Sequence, residues 1–85
     1  MDITLRFFAS VRETVGTSQE SITLPPGVAT VGAVRRHLAG RGGAWAQALS
    51  QERALRMAFN QVMCDADTQV KEGGEVAFFP PVTGG

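Results

Sequence analysis

Thr30-Val31-Gly32-Ala33-Val34-Arg35-Arg36-His37-Leu38-Ala39-Gly40 is the stretch on which the reading of the fold depends. Val31, Val34 and Leu38 recur at three and four residues, which puts them on one stripe of a helix. Thr30 stands where an N-cap hydroxyl accepts from the first free backbone N–H groups. The apolar stripe faces a core. Arg35, Arg36, His37 and Arg41 are expected on its flanks or outer side, with Gly40, Gly42 and Gly43 ending the helix.

Toward the N-terminus, Asp2 to Ala9 alternates. Ile3, Leu5 and Phe7 lie on one side and Thr4, Arg6 and Phe8 on the other, the pattern of a strand with one buried face. Val11 and Val15 sit four apart and suit one helical turn ended by Gly16. Glu20 to Leu24 alternates again and stops at Pro25-Pro26-Gly27. Toward the C-terminus, Trp45, Ala48 and Leu49 share the face of a further helical turn. Leu55, Met57 and Phe59 form a third strand, Asn60-Gln61 a turn, and Val62-Met63-Cys64 a short returning strand. The Lys71-Glu72-Gly73-Gly74 cluster turns into a final strand, Val76 to Phe79, with Val76 and Phe78 inward and Phe79 outward.

Two strands, a helix and then two or three strands must share one helix as their cover. A mixed sheet folded over that helix satisfies the requirement. The fold class is α+β, and the arrangement is that of the ubiquitin-like β-grasp, residues 1–79, followed by an extended, flexible Gly-Gly tail at 80–85.

Composition narrows the function. A chain of 85 residues with 44% hydrophobic and 19% charged side chains reads as one globular domain, too small for a separate catalytic unit. Eight basic and eight acidic groups cancel, which removes the field that would draw it to nucleic acid or to a membrane surface. No long apolar run or leader series occurs, so a cytoplasmic location is expected. Cys64 is the single cysteine, which excludes an internal disulfide and a cysteine metal pair.

The candidates for chemistry within the domain are weak. His37 has no carboxylate or cysteine at helical or strand spacing to orient it. Cys64 lacks a basic neighbour to lower its pKa and reads as a structural thiol. Asp65 and Asp67 supply too few ligands for a cation and are taken as turn residues. Gly40-Arg41-Gly42-Gly43 follows a helix instead of opening one, so it does not match a phosphate loop. No nucleophilic triad and no metal site is expected.

The tail is different. Pro80-Pro81-Val82-Thr83-Gly84-Gly85 follows directly on a strand, and the two prolines hold its base extended. At about 3.3 Å per residue it can reach roughly 20 Å from the body. Gly84 and Gly85 carry no side chains, so they can enter a channel too narrow for other residues and deliver a carboxylate. Phe8 and Phe79 both fall on the face away from the helix. If the first and last strands are neighbours, the two rings form one apolar patch at the root of the tail, suited to a partner.

Phe7-Phe8-Ala9, then Arg12-Glu13 and Gly16, together with Gly73-Gly74-Glu75-Val76-Ala77-Phe78-Phe79-Pro80-Pro81-Val82-Thr83-Gly84-Gly85, closely resemble the small subunit of molybdopterin synthase, the MoaD family. The resemblance covers the whole chain. Its one departure is Gly74, where that family often has Asp. What it implies is a sulfur carrier with no bound cofactor of its own. A partner resembling ubiquitin-activating enzymes uses ATP to adenylate Gly85, and a sulfurtransferase or cysteine desulfurase system supplies the sulfur that turns it into a thiocarboxylate. The tail, with Pro80, Pro81, Val82, Thr83 and Gly84 as partner-binding residues beside Phe79 and Phe8, enters the large synthase subunit. There sulfur passes to a cyclic pyranopterin precursor to build the dithiolene. Two small and two large subunits are implied. Arg12-Glu13 belongs to the signature without an assigned role.

The residue-level reading agrees. A carboxylate is a poor acyl donor, and adenylation provides the leaving group that sulfur displaces. The catalytic groups then belong to the partner. Three other readings share parts of this evidence: a sulfur carrier for thiazole, cysteine or tRNA thiolation, a ubiquitin-like modifier joined through Gly85, and a structural module in which Gly85 is dispensable.

Overall fold

The computed structural model describes residues 1–81; Val82, Thr83, Gly84 and Gly85, and with them most of the predicted tail, lie outside the described residues. The elements in chain order are β1 (Asp2–Phe7), α1 (Ala9–Val15), β2 (Gln19–Thr23), α2 (Val31–Ala39), α3 (Gly43–Leu49), β3 (Arg56–Phe59), β4 (Val62–Cys64) and β5 (Glu75–Phe79). The five strands form one sheet in the order β2-β1-β5-β3-β4. β1 and β5 run parallel and the other neighbours antiparallel, so the sheet is mixed as expected.

The core forms where the sheet's inner face meets α2. Val31, Val34 and Leu38 of the predicted stripe are fully buried, together with Leu5, Leu49, Val76 and Phe78. Phe7 stacks on Phe78 with centroids 6.3 Å apart and meets Trp45 edge-on at 5.4 Å, which joins β1, β5 and α3.

Local chemistry sets the element ends. The hydroxyl of Thr30 accepts from the N–H of Ala33 at 3.1 Å, the predicted cap. The N–H groups of Val31 and Gly32 donate to the carbonyls of Thr68 and Ala66, so the segment after β4 straps the start of α2. A Cβ on Gly32 would press on the Ala66 backbone, and only glycine admits the strap this close. Asp65 accepts from the N–H of Asp67 at 2.9 Å, which bears out its reading as a turn residue. Asn60 and Gln61 both have positive φ, 50° and 67°, the two-residue turn that matches strand twist.

Two expectations need correction. Arg35 is not on the flank or outside of α2 but only 7% exposed. Its Nε donates to the carbonyl of Leu49 at 2.8 Å, and its Nη2 donates to the carbonyls of Ser50 and Arg53. It therefore ties off the carbonyl end of α3, which has no intrahelical partners. Burial pushes the Arg35 guanidinium below its ordinary value, and three carbonyl acceptors hold it in its charged form. Gly42 and Gly43 do not end α2 either. Gly40 caps that helix, while Gly42, at φ 77°, opens α3.

Candidate functional site

The parallel pairing of β1 with β5 places Phe7 opposite Phe78, and the N–H of Phe8 extends the ladder by donating to the Phe78 carbonyl at 3.2 Å. One residue further on, both chains point their rings to the other face. Phe8 and Phe79 meet edge to face, with centroids 6.3 Å apart and planes at 87°. Phe8 is 40% exposed and Phe79 half-buried, so the pair forms the expected apolar patch.

The turn out of β1 aims Phe8. Ala9 has φ 52°, the left-handed region that a residue with a Cβ enters at a cost, and the chain passes directly into α1. The carbonyl of Phe8 accepts from the N–H groups of Val11 and Arg12, which fixes the ring's backbone to the helix start.

The sheet register builds the rest of this face. Arg56 pairs with Phe79, and Arg6 pairs with Ala77, which pairs with Ala58 and, through it, with Met63. Ala77 and Ala58 are each 6% exposed, a flat floor beside the two aromatic rings. The Arg6 guanidinium lies 5.5 Å from the Phe8 centroid, and its Nη1 is 3.7 Å from Glu75 Oε1. None of Arg6, Arg56, Ala58, Ala77 or Met63 was singled out in the sequence. Alternation placed Arg6 on the same side as Phe8, but cross-strand partners depend on register, which a single strand does not encode.

Pro80 and Pro81 follow β5 and are half-buried. On the side away from the aromatic pair, Pro80 closes a cleft of about 230 Å³ between α1, α3 and the residues before β3, with Ser10, Thr14, Gln47 and Arg53 among its walls. The described root of the tail is thus flanked by a flat apolar face and by a small cleft of mixed lining, in which Val11, Ala48 and Leu55 join the polar walls. The remaining predicted tail residues, Val82, Thr83, Gly84 and Gly85, lie outside the described residues.

The other candidates stay apart from this face. His37 is half-buried on α2, and Cys64 is half-buried at the sheet edge with its side chain against the core. Arg12 and Glu13 are exposed on α1. Among the described residues there is no group of three or more His, Cys, Asp or Glu side chains able to hold a metal. No helix among them is long and apolar enough to cross a membrane. The Gly74 departure has a structural counterpart: Gly74 is buried, and a Cβ there would overlap the ring of Phe59.

Comparison with known proteins agrees with this geometry. The chain is 48% identical over 79 residues to the molybdopterin synthase sulfur carrier subunit of Haemophilus influenzae, covering 93% of this chain and 94% of that one. It is 45% identical over 83 residues to the protein of the same name from Escherichia coli, covering 98% and 99%. Among solved structures, a Haloferax volcanii protein determined in solution superposes with a TM-score of 0.80 at 31% identity, covering 100% of this chain and 87% of that one. A complex of subunits 1 and 2 of the molybdopterin-converting factor from Helicobacter pylori contains a chain of the same fold, with a TM-score of 0.68, 22% identity and full coverage of both. Residues 5–85 match the ThiS family, and with near-complete overlap on both curated relatives the chain belongs to it.

Proposed function

We propose that this chain is the sulfur carrier subunit of a molybdopterin synthase, acting in molybdenum cofactor biosynthesis. The observation that carries the reading is the identity of 48% and 45%, over nearly the whole of each chain, to two proteins that bear that name. The exposed Phe8–Phe79 pair at the root of the tail supports it, because a carrier must dock where its tail departs.

In this reading the terminal carboxylate of Gly85 is activated by a partner adenylyltransferase. Attack of the carboxylate oxygen on the α-phosphorus of ATP forms the acyl-adenylate and releases pyrophosphate. A sulfur nucleophile from a sulfurtransferase or cysteine desulfurase system then displaces AMP and leaves a thiocarboxylate. The large synthase subunit covers Phe8 and Phe79 and receives Pro80, Pro81, Val82, Thr83 and Gly84 in a channel that excludes water. Sulfur passes to cyclic pyranopterin monophosphate, and two transfers complete the dithiolene. The chain holds no cofactor itself, assembles as two small and two large subunits, and works in the cytoplasm.

A single turnover tests the proposal. The chain prepared with Gly85 as a thiocarboxylate is mixed with the large subunit and the pyranopterin precursor, and dithiolene product is measured against the unsulfurated chain. Product from the thiocarboxylate alone is expected. No product, with the tail intact by mass, moves the acceptor to another pathway.

A further inference from the structure

Arg6 stands on the outer sheet face in β1, beside the central strand β5, yet its charge is only loosely engaged within the fold. The alanines at 77 and 58 leave room for a long side chain to lie across the strands, and Phe8 flanks the guanidinium 5.5 Å from its ring centroid. At 3.7 Å, Glu75 is too far for a hydrogen bond and leaves only a loose ion pair. The Nε of Arg6 is buried and has no hydrogen-bond partner among the described residues. A buried donor of a charged group without an acceptor is unfavourable, and folded proteins avoid it unless something else completes the site.

Charge on this face is also placed unevenly. Arg6 and Arg56 flank the Phe8–Phe79 pair, Arg56 as the register partner of Phe79. The acids of the same face, Glu75 and Asp2, stand further from the tail root, toward the start of β1, where Asp2 is engaged by the Thr23 hydroxyl. A surface laid over the aromatic pair therefore meets two guanidinium groups on an apolar floor. A guanidinium presents a planar fork that suits a carboxylate and is weakly hydrated, so it tolerates a covered position better than an ammonium.

We infer that Arg6 is the ionic anchor of the docking face, taking a carboxylate of the large subunit when that subunit covers Phe8 and Phe79. The inference rests on the carrier reading and names the chemistry its partner must present. Covering the face removes water from the exposed part of the guanidinium, whose side chain is 36% exposed, and the carboxylate gives it a closer acceptor than Glu75 does.

Calorimetric titration of the intact chain against the large subunit, at low and high salt, tests this with Arg6→Met and Arg6→Gln. Both variants should bind at least about tenfold more weakly than the wild type at low salt. The wild-type affinity should fall as salt is added, and that of the variants should fall less. Thermal unfolding of Arg6→Met should stay level or rise, since the variant removes an unpaired buried donor. Wild-type affinity in both variants overturns the inference and leaves the carrier reading intact. Weakened binding with an unchanged salt slope also overturns it, because packing and not charge would then be responsible. A wild-type chain that does not bind the large subunit overturns the carrier reading and this inference with it.

Discussion

The Nε of Arg35 donates to the main-chain carbonyl of Leu49 across 2.8 Å, locking the last turn of one helix to the middle of another. With Ser50 and Arg53 also bound, one side chain satisfies three carbonyls. Arg35→Met keeps the stem and removes every donor. It should cost about 2–4 kcal/mol, because a buried acceptor left unpaired loses its solvation without compensation. Urea unfolding measures this, and an unchanged midpoint would mean that water replaces the guanidinium.

Ala9, at φ 52°, carries strain that glycine would not. Ala9→Gly should stabilise the chain by about 0.5–1 kcal/mol, the relief of the left-handed backbone set against the greater freedom of glycine when unfolded. Thermal unfolding decides the sign. A loss of stability would mean that the Ala9 methyl contributes contacts worth more than the strain.

The Arg41 guanidinium binds both oxygens of Glu20, at 2.6 and 3.1 Å, and lies 4.4 Å from the Trp45 ring centroid. The hydrogen bonds from Arg41 hold the Glu20 carboxyl below its ordinary value, partly opposed by burial and helped by the opposite charge. A depressed carboxylate pKa stabilises the fold above the unfolded value, near 4.5, and the gain disappears as pH falls through the folded value. Because the pair is partly exposed, its contribution is at most about 1 kcal/mol. Glu20→Gln should lower stability at neutral pH by at most that amount and flatten the fall across the acid window, below which the two curves meet. Unfolding midpoints followed from neutral to acid pH will show whether the two curves converge there.

Phe79→Ala should weaken binding to the large subunit by about tenfold or more, since a central aromatic anchor is truncated. The fold should persist, because Phe79 is only half-buried and lies outside the core cluster. Calorimetry gives the affinity and circular dichroism the fold. Unchanged affinity would remove the aromatic pair from the interface.

Gly84→Val should block sulfur transfer while leaving thermal stability as it was, because a branched side chain cannot follow glycine through a tight channel. The readout is dithiolene formed in a single turnover by the thiocarboxylated variant. Normal turnover would refute the narrow channel.

Much of this fold was legible before any coordinates. Ile3, Leu5 and Phe7, the stripe of Val31, Val34 and Leu38, and the Thr30 cap are short-range patterns, and period and capping chemistry identify them residue by residue. The outward direction of Phe8 and Phe79 followed from the same alternation. Their contact at 6.3 Å did not, because it needs β1 beside β5 in a particular register.

Arg35 shows the limit most clearly. By periodicity it sits beside the Val31–Val34–Leu38 stripe, and an arginine there reads as a solvated flank. Only the packing of α3 against α2 brings three unpaired carbonyls within its reach and makes burial favourable. The same is true of Arg6, whose surroundings come from four strands. The sequence by itself determined the elements, the inward faces and the family, since local periodicity and near-complete similarity need no long-range contact. Tertiary structure alone decided which polar groups are buried and which side chains share a face, because those depend on distances between residues far apart in the chain.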